Sequence, residues 1–447
     1  MLPTRTTVWL FLGALLLVPV GACVALFFFP AEDVFSTSRW LVLGADGAFL
    51  ALFLLDGFLA RRQIYLRVRR DRPARLSIGT DNDITVVVEN LGAHAVHFLM
   101  RDGSPAQFRA EPSQMSATVP PYGTARLTYK LLPTERGDFA FGDVFLRCRG
   151  PLRLAWVDRT IQAGETVPVY PNLLEVRRYE ALLRSTLVRT GGYRSRRLLG
   201  GGREFSHFRE YTVDDDYKAV NWKMTARRGK PITAIYESEH SQDIIFCLDV
   251  GRMMAARVGN LTKLDHAINA VLMLTHVSQA FQDNLSLLVF SHTVHRYLPA
   301  GKGRAQHAQF LQALYSVKPE LCYVDYKQAF NYLIAQHPKR ALTMIFTDLL
   351  DSVVSAEFRD AVRLLRQFHL PLTLAVADVP LQELAAKMPE TADEMYDILV
   401  ARDLLHGRAE MLHSLEREGI HVIDTVPERL TVDAVNRYLA LKTGARA

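Results

Sequence analysis

"LDVGRMM", residues 248–254, brings an apolar run to an aspartate and then turns through glycine, arginine and two methionines. The run reads as the first of a series of strands: "IIFCLDV" from Ile244, "LSLLVFS" from Leu285, "ALTMIFTD" from Ala341, "PLTLAVAD" from Pro371 and "IHVIDT" from Ile420. Between them, helical apolar spacing runs over 262–281, 305–315, 326–337, 356–368, 393–418 and 431–441. This alternation predicts an α/β domain over residues 242–447, built on an open parallel sheet with helices on both faces. Ligands in such sheets bind at the carboxyl ends of the strands, where Asp249 and Asp348 fall. Hydroxyls two and four residues after Asp249 would complete a hard-oxygen set for magnesium, but those positions hold Gly251 and Met253.

Upstream, residues 172–241 are the most charged part of the chain. A helix is expected over 173–187, followed by the basic stretch "RTGGYRSRRLLGGGREF", whose glycines lack the GK[ST] of a phosphate loop. In "REYTVDDDYKAVNWKMTARRGKPITAIYESE", Thr212 is placed to cap a helix with Asp214, Asp215 and Asp216 in its first turn. Gly229 is placed to stop that helix, and "PITAIYE" reads as a strand. Residues 63–171 alternate apolar and polar positions in short runs such as "DITVVVEN" and "TARLTYKLL", which predicts an antiparallel, immunoglobulin-like β-sandwich.

Residues 1–62 predict a two-helix transmembrane hairpin. The run 8–29 has no charged residue, and 40–60 is broken only by Asp46 and Asp56. Arg61, Arg62, Arg67, Arg69, Arg70, Arg72 and Arg75 follow the second span, so both termini and the main domains are expected on the cytoplasmic side of a bacterial inner membrane. The box "VGAC" before Cys23 would suit a lipoprotein signal, but the apolar run continues past it. Asp56 is expected to pair with Arg61 and Arg62, and Asp46 to face the first helix or the outer surface. The four cysteines are scattered without a CxxC pair, which argues against disulfides and zinc.

Together, the hairpin, the sandwich, the signature "REF … REYTVDDD … VNWKMTARRGK" and the domain opening "LDVGRMM" resemble the bacterial "domain of unknown function 58" proteins. The most specific part of the resemblance is Glu204, Phe205, Arg209, Tyr211, Asp214 to Asp216, Trp222 and Ala226-Arg227. The resemblance implies a von Willebrand factor A-like C-terminal domain and partnership with a MoxR-type AAA+ ATPase and a client protein. It also implies a metal site, onto which Asp249 and Asp348 carry over, with Asp325 standing in for a threonine. With no hydroxyl ligands this is a degenerate magnesium site, and Arg252 is positioned to replace the cation. No resident cofactor is expected.

The function expected is that of a non-enzymatic adaptor presenting its α/β domain to protein partners, with Arg252 and the signature residues as candidates for contact. One alternative is a hydrolase using His207, Glu210 and Asp214 to Asp216 for acid/base work. A second is anionic-lipid or nucleic-acid binding through "RRQIYLRVRRDR" and "RSRR", consistent with a net charge of +6. No GxSxG, HExxH or kinase-like pattern is present, and aromatic and basic residues are not interleaved on one surface.

Overall fold

The computed structural model describes residues 2–4, 7–8, 31–73, 75–172, 203–212, 220–238 and 242–443. The chain divides into two compact units, Met1–Tyr170 and Pro171–Ala447.

In the first unit, β1 (Leu2–Pro3) precedes a helix, α1 (Ala31–Gln63). There follow β2 (Leu66–Asp71), β3 (Leu76–Ser77), β4 (Asn82–Asn90), β5 (Val96–Asp102), β6 (Arg109–Glu111), β7 (Met115–Val119), β8 (Thr124–Leu132), β9 (Gly137–Phe141), β10 (Val144–Arg149), β11 (Ala155–Ile161) and β12 (Glu165–Tyr170). They form sheets in the orders β1-β11-β10-β5-β7, β2-β4-β8-β6 and β3-β12-β9. Alternation along the strands buries one side: Val144, Leu146 and Cys148 of β10 are buried, while Phe145 and Arg147 between them are exposed. Arg70 lies in this interior, with its Nη2 2.6 Å from Asp102 Oδ1, and Tyr129 donates to the other oxygen of Asp102 at 2.7 Å.

The transmembrane hairpin requires correction. Its first span lies, apart from Val8, outside the described residues. The second falls within α1, and among the described residues no helix is long and apolar enough to cross a membrane. The multi-pass inner-membrane location, with its cytoplasmic orientation, loses its basis with the hairpin. The physical reason lies in the two aspartates. Asp46 is exposed, and Asp56 is fully buried against protein rather than paired with Arg61 and Arg62. Its carboxylate accepts the backbone N–H groups of Leu152, Leu154 and Ala155 at 2.7–2.8 Å, tying the end of α1 to the turn before β11. Gly150 is required beside it, because a Cβ there would collide with the Asp56 carboxylate. Within the basic run that follows, Arg70 pairs with Asp102 and Arg72 with Glu165 at 3.0 Å, while Arg61, Arg62, Arg67 and Arg69 are exposed.

The second unit opens with a hairpin of β13 (Arg203–Glu210) and β14 (Ile232–Ser238), which flank a short helix, α2 (Trp222–Arg228). Of the helix expected from Thr212 to Gly229, the described part is α2, which begins at Trp222. Asn221 is its cap, accepting the Met224 N–H at 3.1 Å; Thr212 accepts from Arg209 at 3.3 Å. Gly229 ends α2 in the left-handed conformation at φ 69°. The helix expected over 173–187 and the residues 213–219 lie outside the described residues.

The remaining elements are β15 (Asp243–Asp249), the small pair β16 (Arg257–Val258) and β17 (Leu261–Thr262), α3 (Lys263–Ser278), β18 (Asn284–Phe290), β19 (Val294–Gly301), α4 (Gly303–Tyr315), α5 (Tyr326–Gln336), β20 (Leu342–Thr347), α6 (Ser352–Phe368), β21 (Leu370–Val376), α7 (Val379–Ala386), α8 (Ala392–Arg417), β22 (His421–Thr425) and α9 (Leu430–Thr443). One sheet runs β19-β18-β15-β20-β21-β22, parallel throughout except for the antiparallel edge strand β19. Alternate residues of β15 serve two cores: Ile244, Phe246 and Leu248 pack with α3, α4 and α9, while Ile245 and Cys247 pack with α5, α6 and α8. The order reverses at β15, so the carboxyl ends of β15 and β20 flank the topological switch point.

Candidate functional site

The switch point gathers Asp249 at the end of β15, Thr347 and Asp348 at the end of β20, and Tyr326 at the start of α5. Asp249 is 1 % exposed. Its Oδ1 accepts the Gly251 N–H at 2.7 Å, and its Oδ2 accepts the hydroxyls of Thr347 at 2.6 Å and Tyr326 at 3.1 Å. Burial pushes the Asp249 carboxyl up to about 6, against these three hydrogen bonds, which stabilise the carboxylate. Burial, with Asp249 beside it, likewise holds the Tyr326 phenol well above its ordinary range.

Lys263, the first residue of α3, is fully buried and supplies the cation that the sequence had suggested for Arg252. Its ammonium lies 2.6 Å from Asp348 Oδ2 and 2.7 Å from Asp378 Oδ2. Burial raises the Asp348 pKa and Lys263 opposes it. At Asp378, burial is outweighed by Lys263 and the Leu381 N–H, and the net direction is downward. A lysine in the first turn of a helix sits at the positive end of the dipole, so its carboxylate partners must outweigh that repulsion as well as its desolvation. Thr262 and Asp265 secure the turn as a capping box.

Arg252 instead faces outward. It pairs with Asp351 at 2.6 Å, and its guanidinium lies 4.1 Å from the centroid of the Tyr323 ring. Asp325 caps α5, accepting the Gln328 N–H at 2.9 Å.

These residues do not fit magnesium. The cavity among Asp249, Asp348, Tyr326 and Arg252 measures about 10 Å³, enough for a single water and too small for an ion that keeps several of its own. Asp348 is already neutralised by Lys263, and Asp325 is turned to its helix. The hydroxyl site two residues after Asp249 is closed: a Cβ on Gly251 would strike Val324 Cγ2 and lie 3.1 Å from Asp249 Oδ1. The metal set implied by the von Willebrand factor A resemblance is therefore not assembled.

Of the signature residues, Glu204 and Phe205 lie on β13, and Arg209 follows on the same strand. Tyr211 donates its N–H to Pro231 O at 2.9 Å, Trp222 is 59 % exposed at the start of α2, and Arg227 is exposed near its end. Asp214, Asp215 and Asp216 lie outside the described residues, and with them the carboxylates of the hydrolase reading. His207 pairs in register with Ile235, and Glu210 forms an exposed pair with Lys230. The stretch "RSRR" is likewise outside the described residues.

Lys263 was legible in part. Lys263, Ala267, Ala270 and Leu274 share one helical face, and the last three are core residues, so the spacing directs the lysine inward. Its pairing with Asp348 and Asp378, 85 and 115 residues away, carries no local signal.

Residues 207–393 match the family model described as "Protein of unknown function DUF58", which supports the resemblance drawn from the signature over that stretch. The chain matches none of the curated proteins. Among solved structures it is similar to the conserved hypothetical protein BatB from Bacteroides thetaiotaomicron, at 13 % identity, covering 46 % of this chain and 100 % of that one with a TM-score of 0.29. It is also similar to the ASH/PapD-like domain of human CEP192, at 17 % identity, covering 23 % of this chain and 86 % of that one with a TM-score of 0.17.

Proposed function

We propose, taking residues 207–393 as a DUF58-like module, that this chain is a non-enzymatic adaptor whose α/β domain binds a protein partner. The observation that carries the reading is α8. One side of this helix is anchored through Ile398, Ala401, Met411, Leu412 and Leu415, while Met395, Tyr396, Leu399, Val400 and Leu404 are exposed elsewhere along its N-terminal half. Met388, just before the helix, is 91 % exposed. Clustered large apolar side chains in water mark interaction surfaces, and methionine and tyrosine are enriched in them. At the switch point, buried ion pairs and packed side chains occupy the place where a substrate would enter. The partner implied by the family resemblance is a MoxR-type AAA+ ATPase acting on a client protein.

Affinity capture of the full-length chain from its host tests this reading. An AAA+ ATPase is expected with the native protein, with recovery falling about tenfold or more in the folded double variant Met395→Asp/Leu399→Asp, the size of a hot-spot loss. Equal recovery with the variant, or no ATPase with the native chain, overturns it.

A further inference from the structure

A second constellation stands at the same end of the sheet, one strand further out. Ser291 follows β18, His292 lies in the turn to β19, and His295 is on β19. Glu320 and Cys322 come from the connection between α4 and α5. Three backbone hydrogen bonds fix that connection across the strand ends: Glu320 N–H to Val250 O at 2.7 Å, Arg252 N–H to Cys322 O at 3.1 Å and Asp325 N–H to Ser291 O at 3.0 Å. The side chains are thus held on two braced segments.

The donor atoms converge on one place. His292, Glu320 and Cys322 each offer one ligand atom, and these atoms all lie within 4.8 Å of one another. From Glu320 Oε2 the distances are 3.8 Å to His292 Nδ1, 3.6 Å to Cys322 Sγ and 3.2 Å to His295 Nε2. Bonds of about 2.0 Å to nitrogen or oxygen and about 2.3 Å to sulfur place the donors of a tetrahedral zinc roughly 3.3–3.8 Å apart. The spacings around Glu320 already fall close to that range.

We infer that His292, Glu320 and Cys322 form a binding site for one divalent transition-metal ion of the zinc class, open to solvent on its fourth side. Imidazole and thiolate donors select this class over magnesium or calcium, which prefer oxygen. Ser291 orients the set, donating to Glu320 Oε2 at 2.8 Å and lying 2.7 Å from His295 Nε2, as outer partners of metal ligands commonly do. His292 is well exposed and Glu320 partly so, which leaves an entry path. On coordination the Cys322 thiol releases its proton to solvent and binds as thiolate. Cysteine spacing alone argued against zinc because the ligands come from two segments and only one is a cysteine.

Cobalt titration of the full-length, chelator-treated protein tests the site. One equivalent is expected to produce a thiolate-to-cobalt charge-transfer band with tetrahedral d–d absorption, displaced by zinc and unaffected by excess magnesium. Cys322→Ser should abolish the charge-transfer band, and His292→Ala should weaken zinc binding at least tenfold in calorimetry. No charge-transfer band in native protein whose Cys322 titrates as a free thiol would overturn the site, as would a band undiminished in Cys322→Ser.

Discussion

Lys263 neutralises two carboxylates from different strands, and its removal should show the cost of leaving them unpaired. In Lys263→Met, with Asp348 buried and Asp378 half-buried, a loss of about 3–5 kcal/mol is expected in urea unfolding. Restored stability in the triple variant Lys263→Met/Asp348→Asn/Asp378→Asn would locate the loss in the charges rather than in the volume. Asp249 gives a pH signature of opposite sign to that of a salt-bridged acid. Its folded pKa, about 6, lies above the unfolded value near 4, so the folded state binds the extra proton between them. Its contribution to stability is therefore greatest below about pH 4 and declines as pH rises through 6, by roughly 1–3 kcal/mol. Subtracting the unfolding profile of Asp249→Asn from that of the native chain should isolate this slope; a difference that rises with pH would refute the assignment.

Among the elements, the loop after β15 is defined by what it excludes. Gly251 is closed in by Val324, Cys322 O and Asp249, so Gly251→Ser should cost about 1–3 kcal/mol through overpacking. Val324→Ala in the same chain should return part of that loss; a fully stable single variant would show that the space exists. None of this was legible in "LDVGRMM", which displays the missing hydroxyls but not the valine, 73 positions on, that fills their place. Strand and helix periodicity was legible, because β15, β18, β20 and β21 are buried on both faces and read as continuous apolar runs. The edge strand β19, "VHRYLPAG", escaped because its exposed positions break that run. Asn221 and Thr212 are both competent caps by residue type; Asn221 caps α2 beside the bridge from Val220 to Thr233, and the residues that follow Thr212 lie outside the described residues.

At the scale of the whole molecule, the apolar run 40–60 was misleading because composition alone does not say what surrounds a segment. Asp56 reads equally well as a charge at a membrane boundary and as a buried acceptor for the turn at 152–155, nearly a hundred residues away. The sandwich beyond it was easier to read, since antiparallel strands with one wet face declare themselves by alternation. The carboxylates and the strand ends were visible from the start; what was hidden was which cation would meet them, because that depends on how α3 is laid over the sheet.

An ion carried on a side chain has no concentration. Lys263 cannot be stripped by a chelator or diluted away, and the switch point it closes is set once, when the chain folds. The charge that meets Asp348 and Asp378 is thus part of the chain, present in one copy per fold and fixed in place.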